Sequence, residues 1–344
     1  MAQQIDWYKT PVSADILKEM NKRSDFRGLL QAGSFLIIYL GLAFLGVWFF
    51  LMRMWIPMVL SCYAHSIFSS FVGMEAAVHE LSHKTPFKST WLNELFYYLF
   101  CFLTWNNAVH FRISHMNHHR LTMHRGLDKE VIIEPAPFGF WDRFSWVTFD
   151  VKKCKMIMVP AIANFFGNAD VDPFSWDPLL SKDDPRRKDI VRWARILVIG
   201  QLILLAVFIY FKLWPLIYMV TIGYFFATFA GMGTGIIQHQ GMCSSVPDWR
   251  VSCHTVLTGP VIGYLYWRMN YHIDHHMYLA VPFFRLKKFH ALIAYDQPEP
   301  PTSFSAGLNR IRKIHRRQRT EPGYCFIPEF PESAAAPRLP DGCC

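Results

Sequence analysis

The chain has 344 residues, of which 52% are hydrophobic, 16% aromatic and only 18% charged, with a net charge of +9. A soluble domain carries about a quarter charged residues, so the balance points to a membrane protein. The positive charge is no nucleic-acid signal, because the basic residues flank long apolar runs, where anionic headgroups and the positive-inside rule favour them.

Residues 1–32 are polar and lack the apolar core of a cleavable signal peptide, so they read as a cytosolic N-terminal segment. Residues 33–300 read as one membrane unit. A helix needs roughly 20 residues to cross a hydrocarbon core about 30 Å thick, and the runs 33–52, 54–78, 195–214 and 215–237 qualify. The links within each pair are minimal, at Arg53 and at Trp214 and Pro215, so the four spans form two tight transmembrane helical hairpins. A fifth run, 95–109, reaches only about 22 Å at 1.5 Å per residue, which suits a re-entrant or interfacial helix. Residues 131–194, rich in Pro, Asp and Trp, read as a folded cytosolic excursion. Residues 301–344 form a basic tail whose end, PESAAAPRLPDGCC, is expected to be disordered, and Cys343 and Cys344 match no prenylation signal. Eight cysteines without paired spacing argue against a disulfide framework or a zinc site.

Charge sets the orientation. Lys9, Lys18, Lys22, Arg23 and Arg27 precede the first span, and Arg186, Arg187, Lys188 and Arg192 precede the third. Arg310, Arg312, Lys313, Arg316, Arg317 and Arg319 follow the fourth, whereas the hairpin tips offer little more than Arg53 and Lys212. Both termini and residues 84–193 are therefore expected in the cytosol, at the inner membrane of a bacterium or the endoplasmic reticulum of a eukaryote.

Three clusters dominate the fifteen histidines: HELSH (His79, His83), HMNHH (His115, His118, His119) and HIDHH (His272, His275, His276). On a helix, residues four apart share a face, so His79 and His83 address one region. In the other clusters the first and last histidines share a face, and the middle one is rotated by about 100°. Adjacent imidazoles then address different metals. His239 follows the fourth span as His79 follows the second, and ionisable groups at membrane depth are costly and functional. If the 95–109 run does not cross, all of these fall on one face of the membrane, in a cytosolic helical cap. Imidazole ligation suits zinc, copper, iron or nickel; so many histidines exceed a zinc tetrahedron, and two irons with open positions for oxygen fit. Glu80, Asp128, Glu130 and Asp274 are near enough in sequence to orient the imidazoles. His65, within a span, is expected to make an interhelical hydrogen bond. His110 and His124 are weaker ligand candidates, and His254, His290 and His315 read as ordinary interfacial or surface residues.

The boxes HxxxH, HxxHH and HxxHH, in this order, with the flanks HHRLTMHRGLDKE and NYHIDHHMYLAVPFFRLKKFH, resemble the membrane fatty acid desaturase superfamily. The resemblance implies an all-α integral-membrane fold whose cap holds a di-iron site, with His79, His83, His115, His118, His119, His239, His272, His275 and His276 as iron ligands. Some acyl-CoA relatives carry an Asn four residues before the equivalent of His239, holding a water on iron; here that place is Gly235, which leaves such a ligand without support. The implied activity is O2-dependent introduction of a double bond into a fatty acyl chain or similar lipid. A hydroxylase, ketolase or oxidative decarboxylase of a lipophilic substrate uses the same centre. A histidine-rich membrane metal transporter is the reading from another class, but it needs polar residues facing one another inside the spans, and the first and third have almost none. There is no Gly-rich dinucleotide fingerprint, iron–sulfur Cys cluster or fused haem domain, so ferredoxin or cytochrome b5 with a reductase is the expected electron donor.

Overall fold

The computed structural model describes residues 5–131 and 138–339. Among them the regular structure is helical, and the only β pairings are isolated bridges. Three helical stretches, Asp25–Leu51, Trp55–Ser82 and Arg186–Tyr210, are long and apolar enough to cross a membrane.

After a short α1 (Ala14–Met20), α2 (Asp25–Leu51) starts earlier than the apolar run does, because the Ser24 side chain caps its first turn by accepting from the Arg27 amide at 3.3 Å. Ala32, Phe35, Tyr39, Ala43 and Gly46, three or four residues apart, face inward against α3 (Trp55–Val72). Leu30, Ile37, Leu40 and Phe44 point outward and are more than half exposed, an apolar surface that calls for lipid rather than water. The tip is tight, as the short link requires, with Arg53 in the left-handed region. His65 departs from expectation: its Nδ1 lies 3.4 Å from Ser69 Oγ on its own helix, and its ring packs on Tyr39 of α2 at 4.2 Å.

The run 54–78 is interrupted at Gly73, so His79 rides on a separate helix, α4 (Ala77–Ser82). The short fifth run becomes α5 (Thr90–Leu103), whose 14 residues span about 21 Å. It stops at a turn with Trp105 in the left-handed region, and Asn107 caps α6 (Ala108–Leu121) through its side-chain oxygen. Then come α7 (Phe140–Val147), α8 (Val151–Phe165) and α9 (Arg186–Tyr210).

The fourth expected span, 215–237, is not one helix. One turn, α10 (Trp214–Leu216), runs into a π segment (Ile217–Ile222) and a 3-10 turn (Gly223–Phe225), and α11 (Phe229–His239) follows after a break. The linker between α7 and α8 takes up the freed backbone. Asp150 donates its amide to Phe225 O at 2.7 Å, Ala227 donates to Thr148 O at 3.1 Å, and Thr228 Oγ1 donates to Asp150 Oδ2 at 2.9 Å. Irregular backbone at membrane depth persists only where protein satisfies it in this way.

The remaining helices are α12 (Trp249–Ser252), α13 (Pro260–Leu265), α14 (His272–Met277), α15 (Phe283–Ile293) and α16 (Phe304–Thr320). Helix α16 packs on α11 through Ile237, Ile311 and Ile314. Gly241 ends the approach with φ +75°, and a Cβ there would sit 2.3 Å from Ile314, so the turn requires glycine. Within residues 301–339, Phe304–Thr320 form α16, and later residues bond back to the fold. Arg250, fully buried, pairs with Asp248 and Asp296, both at 2.7 Å, and donates to the carbonyls of Ala335 and Ala336. Asp296 also accepts from Tyr8 and Thr10, so one buried network fastens both ends of the chain. Cys343 and Cys344 lie outside the described residues.

Candidate metal centre

Four elements deliver the histidines. Helix α4 supplies His79, with His83 as its C-cap; α6 supplies His115, His118 and His119; α11 ends on His239; α14 supplies His272, His275 and His276. Eight of the nine are buried and His83 is half-buried. Side-chain nitrogens of His79, His83, His115, His119 and His275 lie within 4.8 Å of one another, and those of His118, His239 and His276 form a second such group. His272 joins the second, its Nε2 2.9 Å from that of His239 and 3.0 Å from that of His276. Adjacent histidines therefore divide between the groups: His118 from His119, and His275 from His276.

The outer nitrogens explain why the inner ones converge. His115 Nδ1 donates to Glu130 at 2.5 Å, His118 Nδ1 to Asp128 at 2.9 Å and His239 Nδ1 to the Ser252 carbonyl at 3.0 Å. A ring that donates from Nδ1 leaves Nε2 as a lone pair. The Nε2 atoms converge at short range: that of His115 is 3.2 Å from His83 Nε2 and 3.1 Å from His119 Nε2, and that of His79 is 3.0 Å from His275 Nε2. Imidazole nitrogens gathered this closely, in two adjoining groups, are a donor set that fits two neighbouring metal ions. Burial and the surrounding imidazoles push His119, His272, His275 and His276 well below the usual imidazole range, and neutral imidazole is the ligating form. His118 moves the other way. Burial lowers it, but the attraction of Asp128 and the hydrogen bond outweigh that and hold its pKa above the ordinary value. Burial would raise Asp128, yet His118 and the amides of Met123 and Glu130 hold it low.

The four carboxylates do not behave alike. Asp128 and Glu130 each grip a box imidazole. Glu80 Oε2 stands 3.8 Å from His275 Nδ1, while its other oxygen accepts from Thr85 and from the Phe283 amide. Asp274 instead accepts from His290 Nδ1 at 2.9 Å, so His290 is no ordinary surface residue. His110 and His124 belong to neither group: His110 is buried to one side, and His124 Nδ1 donates to the Thr122 carbonyl. His254 is buried, with Nε2 donating to the Gln240 carbonyl at 3.1 Å.

Sequence reasoning missed several supports. Thr122 Oγ1 lies 3.1 Å from His276 Nδ1, and Trp176 Nε1 donates to Ser114 Oγ, which donates to Glu130. Thr122 had a signal, as the threonine trailing the second box; Trp176 had none, being 62 residues from Ser114.

No individual curated protein matches the chain. The sequence profile described as fatty acid desaturase matches residues 54–306, a stretch that contains all nine histidines and the helices that bring them together. An oxidoreductase of lipids with a histidine-lined metal centre is what that family implies, and the chain belongs to the fatty acid desaturase family.

Proposed function

We propose that the chain is an O2-dependent di-iron enzyme that introduces a double bond into a fatty acyl chain or a similar lipid. The observation that carries the reading is the convergence of nine imidazoles into two adjoining groups, several with Nδ1 tied to a carboxylate or carbonyl. His79, His83, His115, His119 and His275 would hold one iron, and His118, His239, His272 and His276 the other. Iron bound there supplies activation of O2 to an oxidant able to take hydrogen from an unactivated C–H bond. The balanced reaction joins a –CH2–CH2– unit, O2, two electrons and two protons to give –CH=CH– and two waters.

The protein's part is geometry. Asp128 and Glu130 fix the tautomers of His118 and His115, the Ser252 carbonyl does so for His239, and burial keeps bulk water from the centre. The lipid-facing sides of α2 and α9 suit a substrate delivered from the bilayer. Both termini and the histidine layer face the cytosol in this reading. The broken 214–239 segment makes the fourth crossing, and ferredoxin or cytochrome b5 with its reductase supplies the electrons.

The test is expression in a lipid-fed host with mass spectrometry of the products, alongside metal analysis of the purified chain. A product two mass units lighter than its lipid precursor, with close to two irons per chain, is the expected result. A gain of one oxygen would assign hydroxylation, and stoichiometric zinc with full activity would refute the iron reading.

A further inference from the structure

Charge places residues 84–193 in the cytosol, yet the pair α7 and α8 does not have the surface of a cytosolic hairpin. Helix α7 buries none of its residues. Phe140 is 72% exposed, Trp141 76% and Phe144 52%, their rings touching one another, and Ile162 and Phe166 continue the apolar surface along α8. Water does not tolerate such a patch on a folded chain without a partner.

The occupant follows from where the hairpin is fastened. Tyr63 Oη donates to the Val147 carbonyl at 2.9 Å. Tyr63 lies in the stretch Trp55–Ser82, which is long enough to cross the membrane, and is eight residues from its nearer end, about 12 Å along the axis. Beyond Val147, residues 148–150 bond to the broken backbone at 225–228, midway along the segment between the hairpin tip at Lys212 and His239. The turn of the hairpin thus sits at the depth of membrane-spanning elements, and its two arms rise from there.

We infer that residues 138–166 form a re-entrant helical hairpin that enters the bilayer from the histidine side, with lipid acyl chains covering Phe140, Trp141, Phe144, Ile162 and Phe166. The charges near the turn are paired, although the Lys152 side chain is 83% exposed. Asp142 accepts from Lys152 at 2.5 Å, and Lys153 turns inward to Glu75 at 2.8 Å. Arg143 and Lys155 have stems long enough to carry their heads toward the headgroups. The inference concerns the membrane surface alone and stands apart from the reaction proposed above.

The test uses the full chain in phosphatidylcholine and phosphatidylglycerol vesicles, with photoreactive benzoylphenylalanine in place of Trp141, Phe144 or Ile162. Leu40, on the exposed face of α2, and Lys313, exposed on α16, are the comparison positions. After irradiation, mass spectrometry reads covalent lipid adducts. The hairpin positions should give yields within about twofold of Leu40 and on the order of tenfold above Lys313, as a water-free surrounding requires. Yields at the level of Lys313 would overturn the inference by placing the hairpin in water. Cross-links to protein in place of lipid would overturn it in favour of an interface between copies. All three positions are exposed, so the substitutions leave the buried core untouched; a variant that does not elute as the wild type does is replaced by one at Phe140. Neither iron nor turnover enters the readout, so failure here leaves the proposed reaction standing.

Discussion

Replacing Asp128 by Asn isolates the contribution of the carboxylates behind the imidazoles. Asp128 is buried, and its Oδ2 accepts from His118 Nδ1 at 2.9 Å and from the Met123 amide at 2.8 Å, while Oδ1 accepts from the Glu130 amide at 3.0 Å. Asn keeps the shape but has one acceptor oxygen for three donors. Whichever way the amide turns, at least one N–H faces another donor, at a cost of about 1–3 kcal/mol. The larger effect falls on the metal, because His118 loses the anion that fixes its tautomer and raises its basicity. Removing such a partner typically weakens metal binding 10- to 100-fold, or about 1.4–2.7 kcal/mol. The assay is iron retained per chain against a graded chelator, with Asp170→Asn as control, since the Asp170 carboxylate pairs with Arg187 away from the histidines. A folded Asp128→Asn protein holding iron as tightly as the wild type would refute the reasoning.

Under the ligand reading, His239→Ala should lower iron per chain and remove activity as fully as His118→Ala does, while His254→Ala, whose ring bonds only to the Gln240 carbonyl among the described residues, should keep its iron. Equal iron content in all three would sink that assignment. Arg250→Ala leaves Asp248 and Asp296 buried without their cation, and should destabilise the fold by about 3–5 kcal/mol, seen as a lower thermal midpoint in detergent; an unchanged midpoint would show that the network does not hold the two ends. Exposed Arg312, Lys313, Arg316 and Arg319 on α16 should make turnover with an acidic electron carrier fall as salt rises, since charge attraction is screened within about 8 Å at physiological ionic strength. The pair Lys313→Gln and Arg316→Gln should raise KM for the carrier with kcat little changed, and an unaltered KM would move the docking surface elsewhere.

The histidine layer was legible because its signal is local. Each box sets its own spacing on one short element, and helical geometry alone separates His118 from His119 and His275 from His276. The first hairpin was legible for the same reason, its apolar runs and short link lying side by side in the chain. What escaped is what distant residues decide. The break at 226–228 depends on the pairing offered by residues 148–150, some 78 positions away for Thr228 and Asp150, and hydropathy averages across it. The tail reads as disordered by its Pro and Ala content, yet Arg250 supplies a buried cation to its carbonyls from 85 residues away. His290 looked ordinary because its partner Asp274 lies on another helix.

These long-range ties converge on one element. Lys153 of α8 reaches Glu75, four residues before His79, and Tyr224 Oη donates to the same carboxylate at 3.2 Å. Residues 148–150 clasp the backbone just ahead of α11, which ends on His239. The loop after α8 brings Trp176 to Ser114 and so to Glu130, the partner of His115. The stretch that composition marks as an excursion thus touches the supports of three of the four histidine-bearing elements. It bears on members of both groups, His79 and His115 in the first and His239 in the second. A buried ion pair adds little net stability, because desolvation offsets attraction, but it does penalise alternative arrangements that would leave either charge alone. The Lys153–Glu75 pair is of this buried kind, 2.8 Å apart. It ties α8 to the turn just ahead of α4, while the neighbouring linker 148–150 holds the turn just ahead of α11.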